Sequence, residues 1–364
     1  MSKILILTNN SDGLYGFRKE LISELSTDHD IYVSTPDNGL FHELRQIGCE
    51  IYETAVDRRG INPATDLKLF ARYLSLLHKV SPDLVITYTI KPNIYGGMAC
   101  RVLGVPYASN ITGLGTAFQK QGALRKLVVT MYQTALKKAK VVFFENCENL
   151  ETLVSEKIVA RNQCKLLNGA GVNLEHYSPA PYPQDASPVR FLFMGRVMAE
   201  KGVDELFETM RRLRADGIDC TLDVLGSFEE SYEQKIRDGE AEGWLRYHGY
   251  QKDVRPFIEK CHCFVLPSWH EGMANTNLEC AAMARPVITS RIHGCMEAVL
   301  EGKSGLLCEK KNAESLYETM LQFCKLDHRD REQMGIAGRK HMELVFDKKI
   351  VISETMERIF HGIR

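Results

Sequence analysis

No stretch of this 364-residue sequence is apolar over the ~20 residues that a membrane-spanning helix requires. The opening, Met1-Ser2-Lys3 and then Ile4-Leu5-Ile6-Leu7-Thr8, has too short an apolar run and no small-residue cleavage site. It reads as a first β-strand and not as a signal peptide. A strong charge of one sign is missing too: the net charge is −1, without the basic footprint that nucleic acid demands, so nucleic acid is excluded as a partner. Internal repeats and low-complexity tracts are absent, which removes solenoids and disordered arrays. The 11 cysteines follow no repeated spacing. That argues against a disulfide framework and for a reducing, cytoplasmic setting. One tight cluster, Cys261-His262-Cys263, lacks a second pair at zinc-site spacing and reads as buried strand packing, with both cysteines on one strand face.

What is present is the composition of a globular protein, 44% apolar and 26% charged, over a length that suits two domains. Short apolar runs alternate with helix-period patterns. Strands are expected at 3–8, 31–35, 50–54, 84–89, 107–112 and 141–145, with helices at 14–25, 66–80 and 123–139 between them. A Gly- and Pro-rich stretch over 169–188 interrupts this pattern and reads as a linker. The alternation then restarts, with strands at 190–194, 221–225, 263–267, 286–290 and 305–308, and helices at 203–214, 275–284 and 313–324. The expected fold is α/β: two doubly wound Rossmann-like domains, 1–168 and 189–345, and a final helix within 346–364. Ligands of such sheets bind at the C-terminal strand ends, so a shared interdomain cleft is the expected site.

Two blocks carry chemistry. Gly195-Arg196 to Lys201-Gly202 follows a strand and sets a guanidinium and an ammonium at a strand-to-helix turn. Two fixed cations at such a turn suit a diphosphate, Arg as a fork and Lys as a point charge. Glu271-Gly272-Met273-Ala274-Asn275-Thr276-Asn277-Leu278-Glu279 spans the next such turn, with Asn275 and Thr276 as good N-cap types for the following helix. Backbone N–H groups at a helix start bind phosphate, and an acceptor-only carboxylate takes two sugar hydroxyls. Each group taken singly also fits a surface ion pair or a solvated helix residue. All four together fit a nucleotide-activated sugar.

These blocks resemble the family 4 retaining glycosyltransferases of the two-Rossmann, or GT-B, fold. Leu266-Pro267-Ser268, Arg285-Pro286-Val287, Gly294-Cys295-Met296-Glu297 and Gly302-Lys303-Ser304-Gly305 match as well. In the first half, Tyr88 to Gly96 and Asn110 to Gly115 are similar to the subgroup that extends polyprenyl-diphosphate-linked saccharides for bacterial capsule, O-antigen or N-glycan assembly. The resemblance implies a hexose or N-acetylhexosamine transferred with retention from a nucleotide sugar, UDP-linked, to an undecaprenyl-diphosphate-linked saccharide, with no metal or other cofactor. It implies Arg196, Lys201 and Glu271 as catalytic residues. Donor binding would add Gly195, Gly272, Met273, Ala274, Asn275, Thr276 and Glu279, the last on ribose. The first domain would take the acceptor, and the final helix would pack back across it.

Two departures from the family pattern matter. The first turn, Asn9 to Arg18, lacks the Gly-rich form, and Thr112-Gly113-Leu114-Gly115 stands where a His is common. Tyr15, Arg18, Lys91, Thr112 and Gly113 are the acceptor-side candidates, open to a structural reading as well. The stretch 119–140 carries six Lys and Arg and no acidic residue. It reads either as an ordinary Rossmann helix or as a peripheral contact with anionic membrane at the inner face. Alternatives for the whole chain are a sugar-nucleotide epimerase of the same shape and a non-catalytic partner subunit of a transferase.

Overall fold

A computed structural model describes residues 1–57, 60, 62–115, 118, 122–185 and 187–360. The chain forms two compact units, Met1–Ala170 with Val351–Arg364, and Gly171–Ile350.

The first unit holds seven parallel strands: β1 (Ser2–Leu7), β2 (His29–Thr35), β3 (Cys49–Glu53), β4 (Leu84–Tyr88), β5 (Tyr107–Ile111), β6 (Val141–Phe144) and β7 (Cys164–Leu166). Their order is β3-β2-β1-β4-β5-β6-β7. Alternate β1 side chains feed opposite cores. Leu5 and Leu7 meet Tyr73, Leu76 and Tyr132 from the helices Pro63–Val80 and Ala123–Leu136. Ile4 and Ile6 meet Leu14, Leu21 and Ile22 of the helix Ser11–Leu25, with Val351 and Ile359 of the last helix, Lys348–Phe360. A parallel strand covered on both faces reads as a continuous apolar run, which is why β1 and β4 were legible. The expected final helix begins two residues later than 346, after a turn of π-helix over Met342–Phe346, and its last positions, 361–364, lie outside the described residues.

The second unit has six parallel strands: β8 (Val189–Met194), β9 (Cys220–Leu225), β10 (Leu245–Gly249), β11 (Cys263–Leu266), β12 (Val287–Ser290) and β13 (Gly305–Cys308). Their order is β10-β9-β8-β11-β12-β13. Both sheets thus start at a middle strand, grow outward one way, and then resume on its other side. Doubly wound order is observed in each, as expected.

Several expectations need correction. Strands β7 and β10 escaped notice: one is three residues long, and the other carries Arg246 and His248 among its apolar positions. Cys261 is not on a strand; it ends the helix Arg255–Lys260, and β11 begins at Cys263. All 11 cysteines are free thiols. His262 is fully buried, accepting from the Arg190 N–H at Nδ1 (3.0 Å) and donating from Nε2 to the Asp185 carbonyl (2.7 Å). It is therefore a structural fastener. The stretch 171–188 counts with the second unit. There Val172 exchanges backbone hydrogen bonds with Phe346 and Lys348, and Tyr182 donates to the His262 carbonyl. Its prolines break periodicity without freeing the chain, because neighbouring carbonyls are gripped by the buried Arg285, described below.

Candidate active site

In a doubly wound sheet the loops that follow the two innermost strands diverge to opposite faces, and their crevice is the usual ligand site. In the second unit these strands are β8 and β11, paired in parallel through Phe191–Cys263 and Leu192–Phe264. The two chemical blocks read from the sequence follow these strands: 195–202 after β8, and 271–279 across the loop after β11 and the start of the next helix.

Three glycines allow the loops to come together. Gly202 sits at φ +72°, and a Cβ there would lie 2.1 Å from the Pro267 carbonyl oxygen. Gly294 sits at φ +88°, where a Cβ would come within 2.6 Å of the Gly272 carbonyl. A Cβ on Gly226 would strike the Gly195 carbonyl at 1.8 Å. Such contacts and left-handed backbone leave no room for another residue. Backbone bonds complete the lacing: Trp269 N–H to Glu200 (2.9 Å), Ala274 N–H to Gly294 (2.7 Å) and Val197 N–H to Ser227 (2.9 Å).

On this frame Lys201 and Glu271, 70 residues apart, form an ion pair through Nζ and Oε1. The Ser268 hydroxyl donates to the same carboxylate oxygen at 2.7 Å. Both side chains are mostly buried, 18% and 12% exposed, whereas Arg196 is half exposed and stands 3.8 Å from Glu229. An ammonium has three donors, of which Glu271 takes one. The loop after β9 lends two more carboxylates, Glu229 on Arg196 and Glu230 on the Ala199 N–H.

The helix after β11 runs Asn275–Ala282 with Ala274 as N-cap and no side-chain cap. Neither Asn275 nor Thr276 caps it, because both already have helical backbone. The Asn277 N–H bonds the Ala274 carbonyl at 2.9 Å, and a helix start without a side-chain cap is the usual anion-binding end of a helix. Met273 and Ala274 are buried, and Gly272 lies beneath Gly294. Glu279 lies one turn into this helix. Burial raises its carboxyl from the ordinary range to about 7, against the opposing effects of a hydrogen bond from Tyr177 and the charge of Lys348. Tyr177 is itself pushed up by burial and then by the Glu279 charge.

The acceptor-side candidates lie in the first unit. Arg18 is buried and pairs with Glu145 at 2.5 Å, its guanidinium over the Tyr88 ring. Lys91 pairs with Asp66 at 2.6 Å, and Tyr95 donates to the same carboxylate. Both cations already have a carboxylate counter-ion. Tyr15 is partly buried with Lys19 near its ring, and Thr112 and Gly113 are partly buried just beyond β5. Thr89, within the Tyr88 to Gly96 motif but not among the acceptor-side candidates, adopts φ +72° directly after β4. A β-branched residue there is strained, and such strain gathers at functional sites.

Of the basic stretch, residues 119–121 lie outside the described residues. The helix ends at Leu136, short of the expected 139. Tyr132, Ala135 and Leu136 are buried, Arg125 pairs with Glu156, and Leu124 and Leu127 are exposed at 44% and 57%.

Known proteins similar to this chain give its family and its fold. Residues 3–146 match the family described as glycosyl transferase 4-like, and residues 188–325 match glycosyl transferases group 1. The chain belongs to this glycosyltransferase family. It is 26% identical to the N,N'-diacetylbacillosaminyl-diphospho-undecaprenol alpha-1,3-N-acetylgalactosaminyltransferase of Campylobacter jejuni, covering 87% of this chain and 88% of that one. It is 23% identical to the capsular polysaccharide biosynthesis glycosyltransferase CapM of Staphylococcus aureus, covering 89% and 88%. Among solved structures, Anabaena HepE in complex with UDP and glucose superposes with a TM-score of 0.78 at 18% identity, over 98% of this chain and 99% of that one. Sucrose-phosphate synthase of Thermosynechococcus elongatus gives 0.82 at 16% identity, over 98% of each. The fold of this glycosyltransferase is GT-B.

Sequence reasoning missed the partners that hold the site residues. Ser268 was visible only as part of a Leu-Pro-Ser strand end, and Tyr177 was hidden in the supposed linker. Lys348 sits beyond the expected second domain.

Proposed function

We propose that this glycosyltransferase moves a hexose or N-acetylhexosamine, with retained configuration, from a UDP-sugar to an undecaprenyl-diphosphate-linked saccharide in cell-surface polysaccharide or glycan assembly. The observation that carries the donor half is the meeting of Lys201 and Glu271 at the β8/β11 switch point, beside Arg196 and an uncapped helix start. Arg196 and Lys201 take the diphosphate and stabilise the charge that builds on the leaving nucleotide, a role that needs no metal. Glu271 meets hydroxyls of the transferred sugar, and Glu279 takes the ribose. Gly195 and Gly272 to Thr276 supply backbone at close approach.

The acceptor half rests on the relatives of nearly equal length, one of which is named for an undecaprenol-diphosphate substrate. The first unit receives the acceptor near Tyr15, Arg18, Lys91, Thr112 and Gly113. The helix Ala123–Leu136, with exposed Leu124 and Leu127 beside Lys126, touches the anionic inner face of the cytoplasmic membrane that carries such lipids. The test is incubation of the purified chain with a panel of UDP-sugars and a polyprenyl-diphosphate disaccharide. Extension of the lipid-linked saccharide with release of UDP is expected, and NMR of the product gives the anomeric configuration. Conversion of the UDP-sugar without an acceptor would instead identify an epimerase. Binding of donor and acceptor without turnover would identify a partner subunit.

A further inference from the structure

Glu279 is a carboxylate of the proposed donor site whose surroundings come from segments far outside the two chemical blocks, near residues 172–177 and 346–348. The segment 173–177 is folded into a tight turn by Asn173, whose side chain accepts from the N–H groups of Glu175 (3.1 Å) and His176 (3.0 Å) while its carbonyl accepts from Tyr177 (2.9 Å). Arg339 then ties this turn to the Glu279 helix. Its Nη1 donates to the carbonyls of Tyr177 (2.9 Å) and Ala282 (2.9 Å), with a longer bond to Leu174 (3.3 Å). On the other side, Val172 accepts from the Lys348 N–H at 3.0 Å and donates to Phe346 at 2.8 Å. Gly171, at φ +68°, leaves a would-be Cβ only 2.7 Å from the Lys348 Cα. Tyr177 and Lys348 are thereby fixed over Glu279 by contacts that none of the three supplies alone.

We propose that Tyr177 and Lys348, held against the Glu279 helix by the 172–177 turn and Arg339, are positioning residues for donor binding: they aim the Glu279 carboxylate so that it accepts from both ribose hydroxyls. The inference rests on the ribose role given to Glu279 above. Its physical content is a balance. A carboxylate binds two hydroxyls only when both oxygens are acceptors, that is, when it is ionised. Burial works against ionisation, and the Tyr177 hydroxyl and the Lys348 charge work for it. Among the described residues, the titratable and charged groups that act on Glu279 are these two and Cys280, with Arg255 near Tyr177.

Removing the Tyr177 hydroxyl leaves burial less opposed, so Glu279 takes up its proton at higher pH. The acid limb of nucleotide binding then moves upward by about one pH unit, the effect of one hydrogen bond to a partly buried carboxylate. The Lys348 charge acts in the same direction.

The experiment is calorimetric titration of the full chain with UDP, ADP and GDP, continued from pH 5.5 to 9 with whichever binds most tightly, since all share the ribose. Wild type, Tyr177→Phe, Lys348→Met and Glu279→Gln are compared. Expected are an acid limb in wild type, the same limb at higher pH in Tyr177→Phe and Lys348→Met with near-wild-type affinity at pH 9, and weaker binding without that limb in Glu279→Gln. Glu279→Gln also records the titration of the nucleotide itself. A Tyr177→Phe limb at the wild-type pH, with Glu279→Gln impaired, overturns the positioning role alone. Wild-type affinity in Glu279→Gln overturns the ribose assignment and this inference with it. A uniform loss of affinity at every pH in Tyr177→Phe would mark a merely structural role and also overturns the proposal.

Discussion

Replacing Lys201 by Ala separates a catalytic ion pair from a structural one. Lys201 and Glu271 are 18% and 12% exposed, so their interaction is only partly screened by solvent. A hydrogen bond to a charged group contributes about 1.5–3 kcal/mol. Loss of one preorganised donor at the charge that develops in the transition state costs about 10²–10³ in kcat. Lys201→Ala should therefore lower kcat by two to three orders of magnitude while leaving KM for the acceptor near its original value. The fold should survive. Glu271 keeps its bond from Ser268 and some access to water, so the loss of stability should be about 1–3 kcal/mol, below the 3–5 typical of a fully buried pair. Glu271→Gln keeps the shape and removes the charge. In the double variant the stability changes should be non-additive by about 1 kcal/mol, as expected for directly paired side chains. The assay is UDP release with a saturating lipid-linked acceptor, alongside urea unfolding of each variant. A Lys201→Ala enzyme within threefold of wild-type kcat would refute the assignment of Lys201 to the leaving diphosphate.

Further outcomes follow from other parts of the second unit and from the basic helix. The fully buried Arg285 donates to the carbonyls of Ala180, Pro181, Ile258, Glu259, Met283 and Ala284; Arg285→Met should destabilise by about 3–5 kcal/mol, read as a lowered urea midpoint. Burial holds His262 neutral, with its ring lowered from 6.5 to about 4. The unfolded chain takes up this proton near pH 6.5 and the native protein only near 4, so stability is complete above 6.5 and falls as pH drops through that window, by about 3 kcal/mol in all. Urea midpoints at pH 7.5 and 5 should differ by less in His262→Gln. Gly202→Ala places a methyl against the Pro267 carbonyl in left-handed backbone, and should raise KM for the donor at least tenfold, an estimate from the cost of such strain. In liposome flotation at low salt, Leu127→Asp should reduce recovery with anionic vesicles, and recovery equal to wild type would remove the membrane contact from the proposed function.

Much of this was legible from local pattern, for reasons that differ between elements. β1 and β4 are covered on both faces and so read as largely apolar runs, while β10, with Arg246 and His248 in it, did not. The cationic and acidic blocks were legible because strand ends followed by Gly, Asn and Thr mark turns whose chemistry is local. The helix start at Asn275 was legible but its cap was not, since Asn275 and Thr276 are good caps by type while Ala274 occupies the cap, and the helix ends at Ala282, two residues before the expected 284. Arg18 and Lys91 looked like cleft cations from their places after strands. Their partners Glu145 and Asp66 lie 127 and 25 residues away, and no spacing rule connects them.

The sequence by itself determined the two α/β repeats, the turn chemistry and the residue types proposed to meet a nucleotide sugar. These depend on periodicity and on neighbours within a few positions. Tertiary structure alone decided that β8 lies beside β11, which brings Lys201 onto Glu271, and that Val172 is laced to Phe346 and Lys348, with Tyr177 and Lys348 brought to Glu279. Strand order is set by which buried faces fit together across the whole unit, and an ionisable group's charge by what surrounds it after folding. Neither quantity is a property of a window of sequence.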